Sequence, residues 1–159
     1  MSGKAIIIMG SERDLDFSRE IAKYLKILGV TAQFRVASAH KTPEKVLEII
    51  KEFDAEKVVY VTVAGRSNAL SAFVDANSSK PVIACPPYSE TFSGADIYSS
   101  LRVPSGVGSV VTISSEGAAI AVAKILGLDD AAMAQSVKDY QASKRTELEK
   151  ANESVKKLK

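Results

Sequence analysis

Four short apolar runs punctuate the chain: residues 5–9 (AIIIM), 57–64 (KVVYVTVA), 81–85 (PVIAC) and 107–113 (VGSVVTI). They are rich in Val and Ile and do not alternate strictly with polar residues. That pattern predicts strands buried on both faces, as in a parallel sheet. A fifth run, residues 31–37 (TAQFRVA), alternates better and is expected nearer an edge. Between the runs the period lengthens. Phe17, Ile21, Leu25 and Leu28 recur at helical spacing, with Gly29 placed to end that helix. Val46, Ile49, Ile50 and Phe53 form a second stripe, opened by Thr42 as N-cap and Pro43 at the first helical position. Residues 118–126 are Ala-rich and run up to Gly127. Strand alternating with helix predicts a doubly wound α/β domain.

The tail, residues 129–159, reads as one long helix in which Val137, Tyr140, Leu148, Ala151, Val155 and Leu158 could form one stripe. Two readings stay open: a solvated helix packed on its own domain, or a helix that reaches a neighbouring subunit. Nothing in the sequence suggests an internal repeat, a low-complexity segment or a domain boundary, so residues 1–159 are expected to form a single domain.

Composition narrows the function classes. The chain has 159 residues, 46% hydrophobic and 25% charged, the profile of one soluble globular domain. A net charge of +2, from 21 basic and 19 acidic side chains, gives no reason to expect nucleic acid or an anionic membrane as partner. Cys85 is the single cysteine and His40 the single histidine, so an internal disulfide is excluded and a Cys/His zinc site would lack ligands. No apolar run approaches a membrane span, and residues 1–4 lack a signal-peptide pattern. A cytoplasmic protein is expected.

In an open parallel sheet, ligands sit beyond the carboxyl ends of the strands. The loops there read GSERD (residues 10–14), SAHKTP (38–43), AGRSNA (64–69) and PPYSETFSG (86–94). This set suits a phosphorylated sugar. Gly10 admits a close backbone, Ser11 offers a hydroxyl, and free N–H groups at helix starts attract anions. Lys41 and Arg66 bring positive charge for a phosphate, and Asp14 could accept hydrogen bonds from ribose hydroxyls. Taken singly, each has a plainer reading: a turn, a helix cap, a solvated cation. His40 lies in a short loop just before a helix start, where an imidazole could move a proton near neutral pH. Cys85, inside an apolar run, is expected to be a buried, inert thiol.

Read together, Gly10-Ser11 with Asp14 and then Ser38-Ala39-His40-Lys41-Thr42 resemble the phosphoribosylaminoimidazole carboxylase family. One branch of that family is a mutase that moves a carboxylate from an exocyclic nitrogen to a ring carbon. The other is a carboxylase that uses CO2 directly. Residues 64–70 (AGRSNAL) and 93–106 (SGADIYSSLRVPSG) look like the carboxylase branch, with Ala69 where the mutase branch has a histidine and Lys41 where it tends to have arginine. The likeness runs from Ile6 to about Val137.

The resemblance implies a three-layer α/β/α fold with a parallel, flavodoxin-like sheet. It also implies a homo-oligomer, commonly an octamer, with active sites near subunit contacts. The implied reaction carboxylates aminoimidazole ribonucleotide with CO2 and needs neither ATP, biotin nor metal. By motif match, His40 would be the base that removes the proton from ring carbon 4. Ser11, Asp14, Ser38, Lys41 and Arg66 would hold the ribose phosphate. Gly65, Ser67 and Asn68, with Ser99 and Leu101, would shape the pocket for base and CO2. The rivals are the mutase of the same family and, from another class, a non-catalytic phosphosugar- or nucleotide-binding module. A phosphoacceptor signalling domain would want clustered acids at the strand ends, and these loops lack them.

Overall fold

The computed structural model describes residues 3–158; the outermost positions of the expected domain, Met1, Ser2 and Lys159, lie outside the described residues. Five parallel strands, β1 (Lys4–Met9), β2 (Thr31–Val36), β3 (Val58–Val63), β4 (Val82–Ala84) and β5 (Val110–Val111), form one sheet in the order β2-β1-β3-β4-β5. This is the flavodoxin-like order of the doubly wound class. The strand that alternates best, β2, is indeed at an edge.

Two apolar layers explain the continuous strand runs. Because successive side chains point to opposite faces, Ala5, Ile7 and Met9 of β1 join Val59, Val61 and Val63 of β3 on one face. There they meet Ile21 and Leu25 of α1 (Leu15–Ile27), Val122 of α5 (Ser115–Leu126) and Met133 and Val137 of α6 (Ala131–Val155). Ile6, Ile8, Val58 and Tyr60 face the other way, onto Val46, Ile49 and Ile50 of α2 (Pro43–Glu52) and Leu70 and Val74 of α3 (Ala69–Ala76). Tyr60 is buried on that face; its hydroxyl donates to the Ile50 carbonyl at 3.3 Å, and burial pushes it up to about 12.

The structure departs from the sequence reading in four places. The last strand is two residues, not seven, and is not buried on both faces: Val110 and Ile113 are exposed, and ahead of it Gly108 donates its N–H to the Asp75 carboxylate at 2.7 Å rather than to a neighbouring strand. Helix α3 is not predicted by the apolar pattern. It is eight residues long, and its start is fixed by Asn68, whose side chain accepts from the Ser71 N–H at 3.2 Å. A single turn, α4 (Tyr98–Leu101), follows 3-10 turns at Glu90–Phe92 and Ala95–Ile97. Thr42 precedes Pro43 but does not cap α2 with its side chain.

The tail is one helix, as its composition suggests, capped by Asp130, which accepts from the Met133 N–H at 3.0 Å. Only its first turns pack on the domain: Met133 and Val137 are buried, and the Tyr140 hydroxyl donates to Glu116 at 2.9 Å. From residue 142 to 158 every side chain is exposed, including Leu148, Val155 and Leu158. The predicted stripe is thus split between a docked start and an uncovered end. Among the described residues, no helix is long and apolar enough to cross a membrane.

Candidate active site

A cleft of about 650 Å³ opens at the carboxyl ends of the strands, where the order reverses between β1 and β3. Four loops supply its walls: Gly10, Ser11, Arg13 and Asp14 after β1; residues 38–41 after β2; residues 64–67, with Leu70, after β3; and Pro87, Tyr88 and Ser89 after β4. Strand order dictates the meeting, because the polypeptide leaves β1 and β3 in opposite directions there. Gly10 lets the two strand ends close up. Its N–H donates to the Val63 carbonyl at 2.9 Å, and a Cβ at position 10 would already sit 3.3 Å from that of Ala64.

The first loop is a 3-10 turn begun by Ser11, whose hydroxyl accepts from the Arg13 N–H at 3.2 Å. Asp14 occupies the N-cap position of α1 but makes no side-chain cap bond, so its carboxylate is left for the cleft. Half-burial pushes that carboxyl above the usual aspartate value, against a smaller opposite effect of a backbone hydrogen bond at Ser11.

The second loop closes on itself. The Ser38 N–H donates to the Thr42 hydroxyl at 3.0 Å, the Thr42 N–H to the Ser38 carbonyl at 2.8 Å, and the Lys41 N–H to the Ser38 hydroxyl at 3.3 Å. Both hydroxyls therefore shape the loop, which is why Thr42 cannot also cap α2. His40 is exposed at the tip of this closed loop and lines the cleft beside Lys41.

In the third loop Arg66 has a left-handed backbone, φ 61°. Its N–H donates to the Asp96 carboxylate at 2.9 Å. Arg13, Lys41 and Arg66 all line the cleft, none of them in an ion pair among the described residues, and Asp14 is the one acidic side chain among the lining residues. Three cations against one acid favour a multiply charged anion such as a phosphate monoester. Among the described residues no three His, Cys, Asp or Glu side chains come together as a metal site.

The structure brings together His40, Ser11, Asp14, Ser38, Lys41, Gly65, Arg66 and Ser67 in one cleft. It does not bring Asn68, Ser99 or Leu101 to the cleft wall of this chain. Asn68 is buried, its amide donating to the Ser100 hydroxyl at 2.9 Å; Ser99 accepts from the Asn68 N–H at 2.9 Å behind the loop; and Leu101 lies exposed outside. Sequence reasoning passed over Arg13, Leu70 and Tyr88 as wall residues. Arg13 stands inside the GSERD loop, and that position was the available signal. Cys85 is fully buried and its thiol is pushed up to about 11 by desolvation, so it is outside the chemistry of the cleft.

Known proteins give the same picture. The sequence model of the family described as AIR carboxylase matches residues 4–147. A phosphoribosylaminoimidazole carboxylase of Archaeoglobus fulgidus is 60% identical over 96% of this chain and 84% of its own length. One of Treponema denticola is 47% identical over 87% of this chain and 88% of its own. The crystal structure of Treponema denticola PurE superposes with a TM-score of 0.94 at 43% identity, covering 98% of this chain and 99% of that one. With the parallel sheet, the cleft at its reversal and these relatives in agreement, the chain belongs to the AIR carboxylase family.

Proposed function

We propose that this protein is a phosphoribosylaminoimidazole carboxylase, a carbon–carbon lyase of purine biosynthesis that joins CO2 to aminoimidazole ribonucleotide. The observation that carries this reading is the cleft itself: in a chain of this family, the only histidine shares one cavity with three cations and a solitary carboxylate. Arg66 and Lys41, with the Ser11 and Ser38 loops, bind the phosphate, and Asp14 takes the ribose hydroxyls. Gly65 and Ser67 border the base. Asn68 and Ser99 act from behind, by holding that loop.

The amino group of the substrate pushes electron density onto ring carbon 4. That carbon attacks CO2; a carbon–carbon bond forms, and a C–O π pair becomes the new carboxylate. Carbon 4 then carries a proton whose removal restores aromaticity. His40 takes it, and returns it in the reverse decarboxylation. Holding CO2 against the ring in a confined cleft supplies the orientation that the reaction needs. No ATP or metal enters this scheme. Ala69 and Lys41 support the carboxylase over the mutase, as do the carboxylase names of the two relatives.

The same reading makes residues 1–159 one catalytic domain acting in the cytoplasm. The uncovered half of α6 supports a homo-oligomer, and the family resemblance suggests an octamer. An ultraviolet assay without ATP separates the alternatives. Purified protein receives aminoimidazole ribonucleotide with bicarbonate, or the N-carboxy isomer alone. Carboxylation in the first, with no use of the isomer beyond its spontaneous breakdown, is expected. Direct conversion of the isomer would move the protein to the mutase branch, and no reaction with either would leave a binding module.

A further inference from the structure

Asn68 and Ser99 hold the third loop from behind, but neither bonds the N–H of Arg66, the residue on which that loop turns. Arg66 and Ser93 are the non-glycine residues with positive φ among the described residues. Such a backbone is disfavoured by the Cβ, and persists only where surrounding contacts over-determine it. At Arg66 those contacts come from a neighbouring segment that is not part of the cleft wall. The Asp96 carboxylate accepts from the Arg66 N–H at 2.9 Å. The Ser99 hydroxyl lies 3.3 Å from the Arg66 carbonyl oxygen, and it accepts from the Asn68 N–H at 2.9 Å. It also donates to the Asp96 carbonyl at 2.7 Å, which ties the two holders together. The Arg66 N–H is thus held by the turn at residues 95–99, while the Arg66 carbonyl only lies beside a hydroxyl whose single proton goes to Asp96. The carboxylate is the stronger of the two contacts, since an ionised acceptor roughly doubles a hydrogen bond.

We propose that Asp96 is a positioning residue of this site: by accepting the Arg66 N–H it keeps Arg66 in the left-handed conformation that turns its guanidinium into the cleft, with Ser99 as its second. Asp96 is not among the residues that line the cleft. Its effect reaches the anion only through Arg66, so this inference rests on the proposed phosphate role of that residue. In an ordinary right-handed or extended backbone, the same side chain would leave the loop in a different direction.

The test is a double-mutant cycle read by steady-state kinetics with aminoimidazole ribonucleotide and bicarbonate. In the otherwise unchanged enzyme, Asp96→Ala is expected to raise KM about tenfold, the loss of one good hydrogen bond, with kcat within about threefold. Asp96→Asn, whose side-chain oxygen can still accept, should restore most of that loss. Arg66→Gly removes the guanidinium and lets the backbone adopt φ 61° freely, so adding Asp96→Ala to it should change KM less than about twofold. Circular dichroism checks that each variant is folded; if Asp96→Ala is not, Ser99→Ala takes its place in the cycle. An equal rise in KM in both backgrounds would overturn the proposal, as would no rise in either. If Arg66→Gly itself leaves KM unchanged, the phosphate role of Arg66 fails. Absence of turnover in the unmutated protein would instead sink the carboxylase reading, and this inference with it.

Discussion

Gly94 offers a sharp test of how the loop after β4 shapes the mouth of the cleft. Its φ is +78°, and a Cβ built on it would lie 2.9 Å from Cε2 of Tyr88 and 3.5 Å from Cδ2. Two separate costs follow for Gly94→Ala. The left-handed backbone of a residue with a Cβ costs about 1–2 kcal/mol. For a chain of this size that lowers Tm by about 3–6 °C. The steric part is small, because Tyr88 is 73% exposed and its ring can swing away. But the ring that moves is a wall of the cleft. Losing an aromatic wall contact should raise KM for the ribonucleotide about three- to tenfold. Differential scanning at fixed protein concentration reads the first cost, and the ultraviolet carboxylation assay reads the second. Tyr88→Ala alone should raise KM with little change in Tm. In the double variant, KM should match that of Tyr88→Ala while the Tm loss persists. The reasoning is refuted if Gly94→Ala changes neither quantity, or if Tyr88→Ala restores the lost Tm, since the cost would then be steric rather than conformational.

Three further outcomes are expected. Burial holds the Asp14 carboxyl above its ordinary value of 3.8, so between that value and its raised one the native state binds more protons than the unfolded chain and stability falls as pH rises. Asp14→Asn should therefore melt higher than the unmutated protein at neutral pH, lose that advantage below pH 3.8, and bind the ribonucleotide more weakly; an unaltered Tm at neutral pH would contradict this. Cys85, buried and with its thiol pushed up to about 11, should resist iodoacetamide in the native protein at pH 8 and react once unfolded, as intact-mass spectrometry would show. Lys41→Ala should raise KM about ten- to hundredfold, the worth of one hydrogen bond from a charged donor, and an unchanged KM would remove Lys41 from the phosphate site.

Much of the fold is legible in the sequence because its strongest signals are long. Strands buried on both faces appear as unbroken Val and Ile runs, and α1, α2 and α6 repeat at helical spacing over several turns. What escapes is short or held by tertiary contacts. Helix α3 is too brief to show a period, and its start depends on Asn68, a residue that reads equally well as part of a loop. Ahead of β5, Asp75 captures the Gly108 N–H, a contact across 33 positions that a local pattern does not show. Within the site, one-dimensional reading finds the loops, since the sheet delivers them to a common edge. It cannot tell a lining side chain from a supporting one. Asn68 and Ser99 look like pocket residues in the sequence, yet their polar atoms are engaged behind the loop, and Arg66 reveals its need for support only through its backbone angle.

In the proposed reaction His40 moves the proton on ring carbon 4, in a cleft that binds the nucleotide by other means. The most direct measurement compares His40→Asn with the unmutated enzyme, in turnover of the carboxylated nucleotide by ultraviolet absorbance and in binding of that nucleotide by calorimetry. Loss of a general acid–base should lower turnover about 100- to 10,000-fold. Binding should stay nearly unchanged, since Ser11, Asp14, Lys41 and Arg66 remain. Turnover at the unmutated rate in a variant that still binds would contradict the account and remove His40 from the reaction.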